Sequence, residues 1–309
     1  MLTNPFIMLL SDITSTINNP VIRNVFTADP TVIVHNDTVY LYTGHDEPAT
    51  GEHDYAMNEW LCFSSKDLVQ WKQHDINFKA TDFAWAKGDA FASKVLEYAD
   101  KFYWFAAVSH KEIPGQAIGI AVADSPTGPF KDAKNAALIT GDMISDNDHD
   151  KINMDPAAII DEDGQPYIFW GYDQCYCARL TPDMTELGSR IHSISLPGFT
   201  EGAHIHKHKN WYYLSYGYGS PEKVAYAMSR AVTGPWEFKG ILNEIPANCN
   251  TNRPAIIEFK NKCYFFYHNG ALKGGDSHRR SVCIDELHYN PDGTMMRVVM
   301  TSEGVMVKD

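Results

Sequence analysis

Three acidic residues stand at the heads of short apolar runs built on one plan: Asp29 before Pro30-Thr31-Val32-Ile33-Val34, Asp155 before Pro156-Ala157-Ala158-Ile159-Ile160, and Glu201 before Gly202-Ala203-His204-Ile205. An Asp-Pro pair by itself is ordinary turn chemistry that opens a strand. Carboxyl groups at equivalent places of a repeated pattern are a different matter, because converging like charges are costly unless their repulsion is put to use. Such a set suits hydrolysis of a glycosidic bond, in which one carboxylic acid protonates the leaving oxygen and a second carboxylate activates water or attacks the anomeric carbon. A third carboxylate nearby raises the acid's pKa and keeps it protonated near neutrality. If the working pair faces each other across an opening, a water fits between them, which favours inversion.

The elements that must position these residues are repeats. The pattern of a small or polar head, an apolar run, a turn and an aromatic-rich run occurs five times. Two further copies run from Ala92-Ser93-Lys94-Val95-Leu96 to Tyr103-Trp104-Phe105 and from Arg253-Pro254-Ala255-Ile256-Ile257 to Tyr264-Phe265-Phe266-Tyr267. The heads recur at roughly 45 to 65 residues, the range of a propeller blade. Turn-forming residues such as His35-Asn36-Asp37, Tyr98-Ala99-Asp100 and Lys260-Asn261 separate the two runs and make each copy a β-hairpin. A strand-turn-aromatic unit follows: Ala123-Asp124-Ser125-Pro126-Thr127-Gly128-Pro129-Phe130 is echoed by Ser229-Arg230-Ala231-Val232-Thr233-Gly234-Pro235-Trp236, with Ser64 to Trp71 as a variant. Four strands per repeat follow. Helical periodicity is nearly absent and no linker divides the chain. The reading is all-β, a five-bladed β-propeller in one domain over residues 1–309, with residues 1–18 as an N-terminal extension. A two-sheet sandwich is the rival, but it has no need of five copies of one module. Equivalent strand starts of a propeller converge on one end of its channel, so the heads are where a site belongs.

Composition narrows the partners. A net charge of −13 and the lack of clustered Lys and Arg argue against nucleic acid. Aromatic residues make up 12%, including 7 Trp and 16 Tyr, a supply of flat apolar faces for sugar rings. Six scattered cysteines show no metal-ligand spacing and no disulfide framework, so they read as reduced, mostly buried thiols. The apolar run Phe6 to Leu10 is shorter than a signal core and lacks preceding basic residues, and no stretch is long enough to span a membrane. The expectation is a cytoplasmic protein without membrane partners; a secreted protein trimmed of its signal would read the same. Nothing in the sequence speaks to oligomeric state.

At these residues the chain resembles glycoside hydrolase family 43, the β-xylosidase and α-L-arabinofuranosidase propellers, from about Asn19 to the C-terminus. The resemblance rests on Ala28-Asp29-Pro30-Thr31, Met154-Asp155-Pro156-Ala157 with Asp161-Glu162-Asp163-Gly164-Gln165, Thr200-Glu201-Gly202-Ala203, and His278-Arg279-Arg280-Ser281-Val282. It implies that Asp29 is the general base, Glu201 the general acid, and Asp155 the residue that orients the acid and raises its pKa, with inversion at the anomeric carbon. It also implies that an arginine of the Arg279-Arg280 pair binds the sugar, and that Trp85 and Phe91 wall the pocket, Phe91 standing where a Trp is expected. The fifth head is often His in similar sequences and associated with a channel metal; here it is Arg253, whose guanidinium cannot ligate a cation but supplies positive charge itself. No metal ligands and no required cofactor are therefore expected, and a structural calcium is doubted. The implied substrates are xylo- or arabino-oligosaccharides: an exo-acting β-1,4-xylosidase first, an α-L-arabinofuranosidase second. A non-catalytic carbohydrate-binding propeller would have no reason to retain all three acidic heads, and a scaffold propeller would carry Trp-Asp signatures absent here.

Other groupings carry less. His204, His206 and His208 alternate along a strand and share a face, as metal ligands or as pocket lining. Asp146, Asp148 and Asp150 lack the glycine and glutamate of a calcium loop. His45, Asp46, Glu47, His53 and Asp54 form a loop at the pocket rim or at the opposite face.

Overall fold

The structure, a computed structural model, describes residues 18–48, 54–144 and 151–305. Asp146, Asp148, Asp150 and His53 lie outside the described residues, as does nearly all of the N-terminal extension.

Five antiparallel sheets follow one another along the chain. The first holds β1 (Thr27–His35), β2 (Thr38–His45), β3 (Glu59–Ser65) and β4 (Lys72–Lys79). The second holds β5 (Ala86–Gly88), β6 (Ser93–Tyr98), β7 (Lys101–His110), β8 (Gln116–Ala123) and β9 (Lys131–Asp132). The third is built from β10 (Ala157–Ile160), β11 (Pro166–Trp170), β12 (Cys175–Arg179) and β13 (His192–Ile194). The fourth is built from β14 (His204–His208), β15 (Trp211–Tyr218), β16 (Lys223–Ser229) and β17 (Glu237–Asn243). The fifth has β18 (Ala255–Phe259), β19 (Lys262–Asn269) and β20 (Ser281–Leu287). Strands β1, β6, β10, β14 and β18 touch in that order, and β18 touches β1. The ring is closed, and the fold is a five-bladed β-propeller.

The inner hairpins turn where the sequence places turn residues. Asn36 and Asp37, Ala99 and Asp100, and Lys260 and Asn261 all have positive φ, between 48° and 61°. Paired positive φ in a two-residue loop matches the right-handed twist of the flanking strands.

Four strands per blade hold for the first, third and fourth sheets but not for the others. In the second, the short β5 pairs with the far end of β7, beyond β6. In the fifth, a segment from the start of the chain covers the free edge of β20. The N–H of Val21 donates to Val282 O at 2.8 Å, and that of Thr27 to Arg280 O at 2.8 Å. The Asn19 side chain imitates a strand, donating to Ile284 O at 3.0 Å and accepting from Ile284 N–H at 2.9 Å. An uncovered edge would be open to pairing with another chain, and here the chain's two ends satisfy each other.

The core lies between blades as five apolar clusters, each shared by two neighbouring sheets. The repeated strand-turn-aromatic unit supplies plugs for them. Phe130 of the second blade enters the cluster shared with the first, where its ring meets Trp104 edge-on at 4.8 Å. Trp236 of the fourth blade packs on the cluster shared with the third, and Trp71 of the first on that shared with the fifth. Each aromatic thus ties its blade to the preceding one. Truncating the fully buried Trp104 to alanine would cost roughly 3–5 kcal/mol by cavity formation. All six cysteines are free thiols, and five of them are buried.

Candidate active site

The blade heads leave the regular pleat. Asp29 and Asp155 both adopt positive φ, 50° and 52°, immediately before a proline. The pairing of β1 with β2 slips between Ala28 and Thr31, so Asp29 and Pro30 form a bulge. Aspartate is among the few side chains that tolerate this region, and bulges re-aim side chains beside sites. At the fourth head Gly202 takes the positive φ, 72°, and a Cβ there would stand 2.8 Å from Cδ of Arg253. Glycine is required because the arginine lies over it.

Arg253, at the fifth head, joins the acidic heads into one cluster. Its Nε lies 3.1 Å from Asp155 Oδ2 and 3.9 Å from Asp29 Oδ1; Nη2 pairs with Glu201 Oε1; Nη1 lies 2.6 Å from Glu222 Oε2. Asp155 Oδ2 also accepts the backbone N–H of Gly202 at 2.7 Å, which ties the third head to the fourth. All four carboxyl groups and the guanidinium are buried.

A second guanidinium supports Asp29 from the other side. Arg280 donates from Nη1 to Asp29 Oδ1 at 3.0 Å, and forks onto Asp46 from Nε and Nη2, each at 2.9 Å. Its Cζ sits 4.9 Å from the ring centre of Tyr55. Fork geometry of this kind fixes the guanidinium plane, which lysine could not do. Behind Asp29, the Nδ1 of His268 accepts the Asp29 N–H at 3.2 Å, while Nε2 faces Thr251 O at 3.1 Å. Nδ1 therefore carries no proton. Burial first, then the charges of Arg280 and Arg253, hold this imidazole neutral well below the usual histidine range.

Among the described residues the cluster gathers the carboxyl groups of Asp29, Asp46, Asp155, Glu201 and Glu222 against the two guanidinium groups of Arg253 and Arg280. Negative charge exceeds positive, and a proton is the cheapest correction. It falls on Asp155. Burial pushes this carboxyl up to about 8; Arg253 opposes the rise, and the charges of Glu201 and Asp29 add to it. Oδ2 is already engaged, whereas Oδ1 is buried with no protein partner, so the proton belongs on Oδ1. Glu222 is also raised, by burial against the opposing pull of Arg253.

A cavity opens onto this cluster. Asp29, Asp155, Glu201, Arg253, Arg280, Gln116, Thr251 and Lys151 form its polar lining, and Tyr55, Met57, Phe91, Ala92 and Met154 its apolar lining. A second, smaller cavity shares Asp29, Ala92, Asp155 and Arg253 with it and is otherwise lined by neighbouring residues of the blade heads. These four residues partition the channel. An apolar wall facing a few convergent polar groups is the make-up of a small-molecule site.

The family model for Glycosyl hydrolases family 43 matches residues 17–295 of this chain. The chain belongs to glycosyl hydrolase family 43. Among family 43 relatives, it is 27% identical to a xylosidase/arabinosidase 43A of Humicola insolens, over 90% of this chain and 98% of that protein. It is also 27% identical to an arabinoxylan arabinofuranohydrolase of Bacillus subtilis, over 93% of this chain and 65% of that protein. Among solved structures, it matches a β-xylosidase/α-arabinofuranosidase from a compost microbial metagenome, held in a complex with xylotriose in a calcium-free form, at a TM-score of 0.81 and 26% identity, covering 90% of this chain and 96% of that one. An α-L-arabinofuranosidase from Clostridium thermocellum matches at a TM-score of 0.76 and 32% identity, covering 93% and 98%. The protein is a glycoside hydrolase.

Of the residues that resemblance to family 43 singles out, the structure brings Asp29, Asp155, Glu201, Phe91, Arg253 and Arg280 to one cavity. Trp85 and Arg279 are not in its lining. Trp85 stacks on His110 at 5.3 Å, donates from Nε1 to Asp132 at 3.1 Å and covers Gly119, which uses both its face and its polar edge inside the second blade. Arg279 reaches Asp276 at 3.0 Å and the carbonyl of Pro48 at 3.2 Å. The alternating histidines have protein partners: His204 Nε2 accepts the Ile256 N–H at 3.1 Å, His206 Nε2 meets the Tyr289 hydroxyl at 2.8 Å, and His208 stacks on Tyr289 at 4.0 Å. At the fifth head a calcium would need six to eight oxygen ligands. The carboxylates there already face a guanidinium, which has donors only, so these residues do not fit a cation at that place.

Glu222, Asp46, Tyr55 and His268 were not recognised as site residues from sequence. Asp46 belongs to the loop whose side of the molecule the sequence left open. Glu222 lies in a turn before β16 and His268 at the end of β19, where no repeat position singles them out.

Proposed function

We propose that this glycoside hydrolase releases terminal xylose from β-1,4-xylooligosaccharides with inversion, using Asp29 as general base, Glu201 as general acid and Asp155 as the neighbour that orients the acid. The observation that carries the reading is the meeting of Asp29, Asp155 and Glu201 in the lining of one cavity. In this mechanism the water held by Asp29 attacks the anomeric carbon while Glu201 gives its proton to the departing oxygen. The Arg253 guanidinium lies between the two, touching Glu201 from one edge and approaching Asp29 at 3.9 Å from another. Inversion is what the resemblance to family 43 implies for such a pair of carboxyl groups. Arg280 holds Asp29 and presents charge to sugar hydroxyls, and Phe91 offers a flat apolar face. Because a guanidinium occupies the fifth head, turnover proceeds without a bound metal there.

A second reading keeps the mechanism and exchanges the sugar for α-L-arabinofuranose; the 32% identity to the Clostridium thermocellum arabinofuranosidase favours it. Hydrolysis of 4-nitrophenyl β-D-xyloside and α-L-arabinofuranoside, measured side by side, ranks the two. Proton NMR of the xylose first released from 4-nitrophenyl β-D-xyloside reads the anomer: α-xylose supports inversion, β-xylose overturns it. Failure on both aryl glycosides and on xylooligosaccharides would refute both readings.

A further inference from the structure

Glu222 is a buried carboxylate that does not line the cavity and stands at no blade head. It is nonetheless held on several sides. Its Oε1 accepts the hydroxyl of Thr200 at 3.0 Å, and its Oε2 accepts the backbone N–H of Asn252 at 3.0 Å and Nη1 of Arg253 at 2.6 Å. Its own N–H donates to Asn250 O at 2.8 Å. Thr200 immediately precedes Glu201, and Asn252 immediately precedes Arg253. One carboxylate therefore staples the approach to the fourth head onto the approach to the fifth. Gly217 makes room for it, since a Cβ there would stand 3.1 Å from the Glu222 carboxyl carbon.

We infer that Glu222 is a positioning residue: it fixes the Arg253 guanidinium as a cation paired with Glu201 and set beside Asp155. The inference rests on the acid role proposed for Glu201. With Nη1 committed to Glu222, the guanidinium is held in one orientation: Nη2 pairs with Glu201 at the fourth head, and Nε lies 3.1 Å from Asp155 Oδ2 at the third without a hydrogen bond of its own. Glu222 also absorbs part of the arginine's charge. Without it, the full charge would act on Glu201 and Asp155 and favour their ionised forms, and the repulsion that Glu222 adds to Asp155 would vanish. Both effects have the same sign.

The test is Glu222→Gln in the full chain, which keeps side-chain size and hydrogen bonding but removes the charge. On xylobiose the alkaline limb of the kcat/KM profile should move down by about one pH unit, so that activity above that limb falls about tenfold, while KM changes little. A loss of activity at every pH with the limb unmoved would mean a merely structural role and would overturn the inference. A readout independent of turnover is the ¹³C-carboxyl NMR titration of the labelled protein, with the Asp155 signal assigned by its disappearance in Asp155→Asn. Its midpoint should fall in Glu222→Gln, and an unchanged midpoint would overturn the inference. Should the wild type cleave none of the glycosides, the functional reading fails, yet this titration still decides whether Glu222 acts through Arg253. If Glu222→Gln does not fold, Thr200→Val removes one anchor of Glu222 and should shift the same midpoint down by a smaller amount; no shift there counts against it equally.

Discussion

Arg280 Nη1 lies 3.0 Å from Asp29 Oδ1, joining residues 251 positions apart in the chain. The same guanidinium forks onto Asp46, so its removal would strip the buried Asp46 of this partner and leave Asp29 with only the more distant Arg253. Arg280→Ala is expected to cost roughly 3–5 kcal/mol of stability, the range for breaking a buried pair. Activity should fall by at least about a hundredfold, as expected when the base loses its support. Arg279→Ala, outside the cavity lining, should leave kcat/KM within a few-fold. Urea denaturation and kcat/KM of the two variants side by side check this; equal effects would mean that the neighbouring arginines share one role.

Asp29 and Glu201 should fail differently. On the proposed roles, Glu201→Ala removes the proton donor, so activity on xylobiose should drop by ~10²–10⁴, whereas a substrate with an activated leaving group needs little protonation and should lose far less. Asp29→Ala removes the activation of water and should lose activity on both substrates alike. Comparing 4-nitrophenyl β-D-xyloside with xylobiose for each variant is the measurement, and the same residual activity for both variants on the aryl glycoside would contradict the division of roles.

Asp155 links the site to stability through pH. Its folded-state carboxyl is raised to about 8 from an unfolded value of 3.8. A carboxyl raised on folding stabilises the native state fully below its unfolded pKa, and this contribution is lost as pH rises through the folded one. Wild type should therefore lose stability relative to Asp155→Asn between about pH 4 and pH 8, because the amide carries no proton to lose. Urea unfolding of both proteins at pH 5 and at pH 8 checks the sign; a difference that stays constant with pH would show that Asp155 folds as an ionised carboxylate.

Chelation supplies the fourth expectation. With Arg253 Nη1 2.6 Å from Glu222 and Nε 3.1 Å from Asp155, positive charge at the fifth head is covalently built in. Prolonged EDTA treatment should leave kcat within a few-fold of the untreated enzyme, and added calcium should not raise it. Loss of activity restored by calcium would place an essential cation elsewhere in the protein.

Much of the architecture was legible from particular residues. Asn36-Asp37, Ala99-Asp100 and Lys260-Asn261 mark hairpins because their short loops demand positive φ at two successive residues, a constraint local to each loop. Phe130 and Trp236 stand out because each closes a repeated unit, and both plug interblade clusters. The short fifth sheet escaped the repeat because its outer edge is covered by Asn19, Val21 and Thr27, residues from the other end of the chain. Trp85 matched the family's pocket aromatics by position, yet Asp132 takes its indole N–H and Gly119 lets the ring lie flat on the second blade.

The sequence by itself determined the five repeats, their β character and the acidic heads Asp29, Asp155 and Glu201, because hairpin chemistry is local and equivalent repeat positions must converge once a ring forms. Only the tertiary structure decided which charges surround them. Asp46 meets Arg280 across 234 positions, and Glu222 meets Arg253 from a turn with no counterpart in the repeat. The physical reason is that a lone carboxylate in a loop carries no periodic signal. Its partner is chosen by the closing of the ring, which brings distant guanidinium groups into a space where no buried charge can stay unpaired.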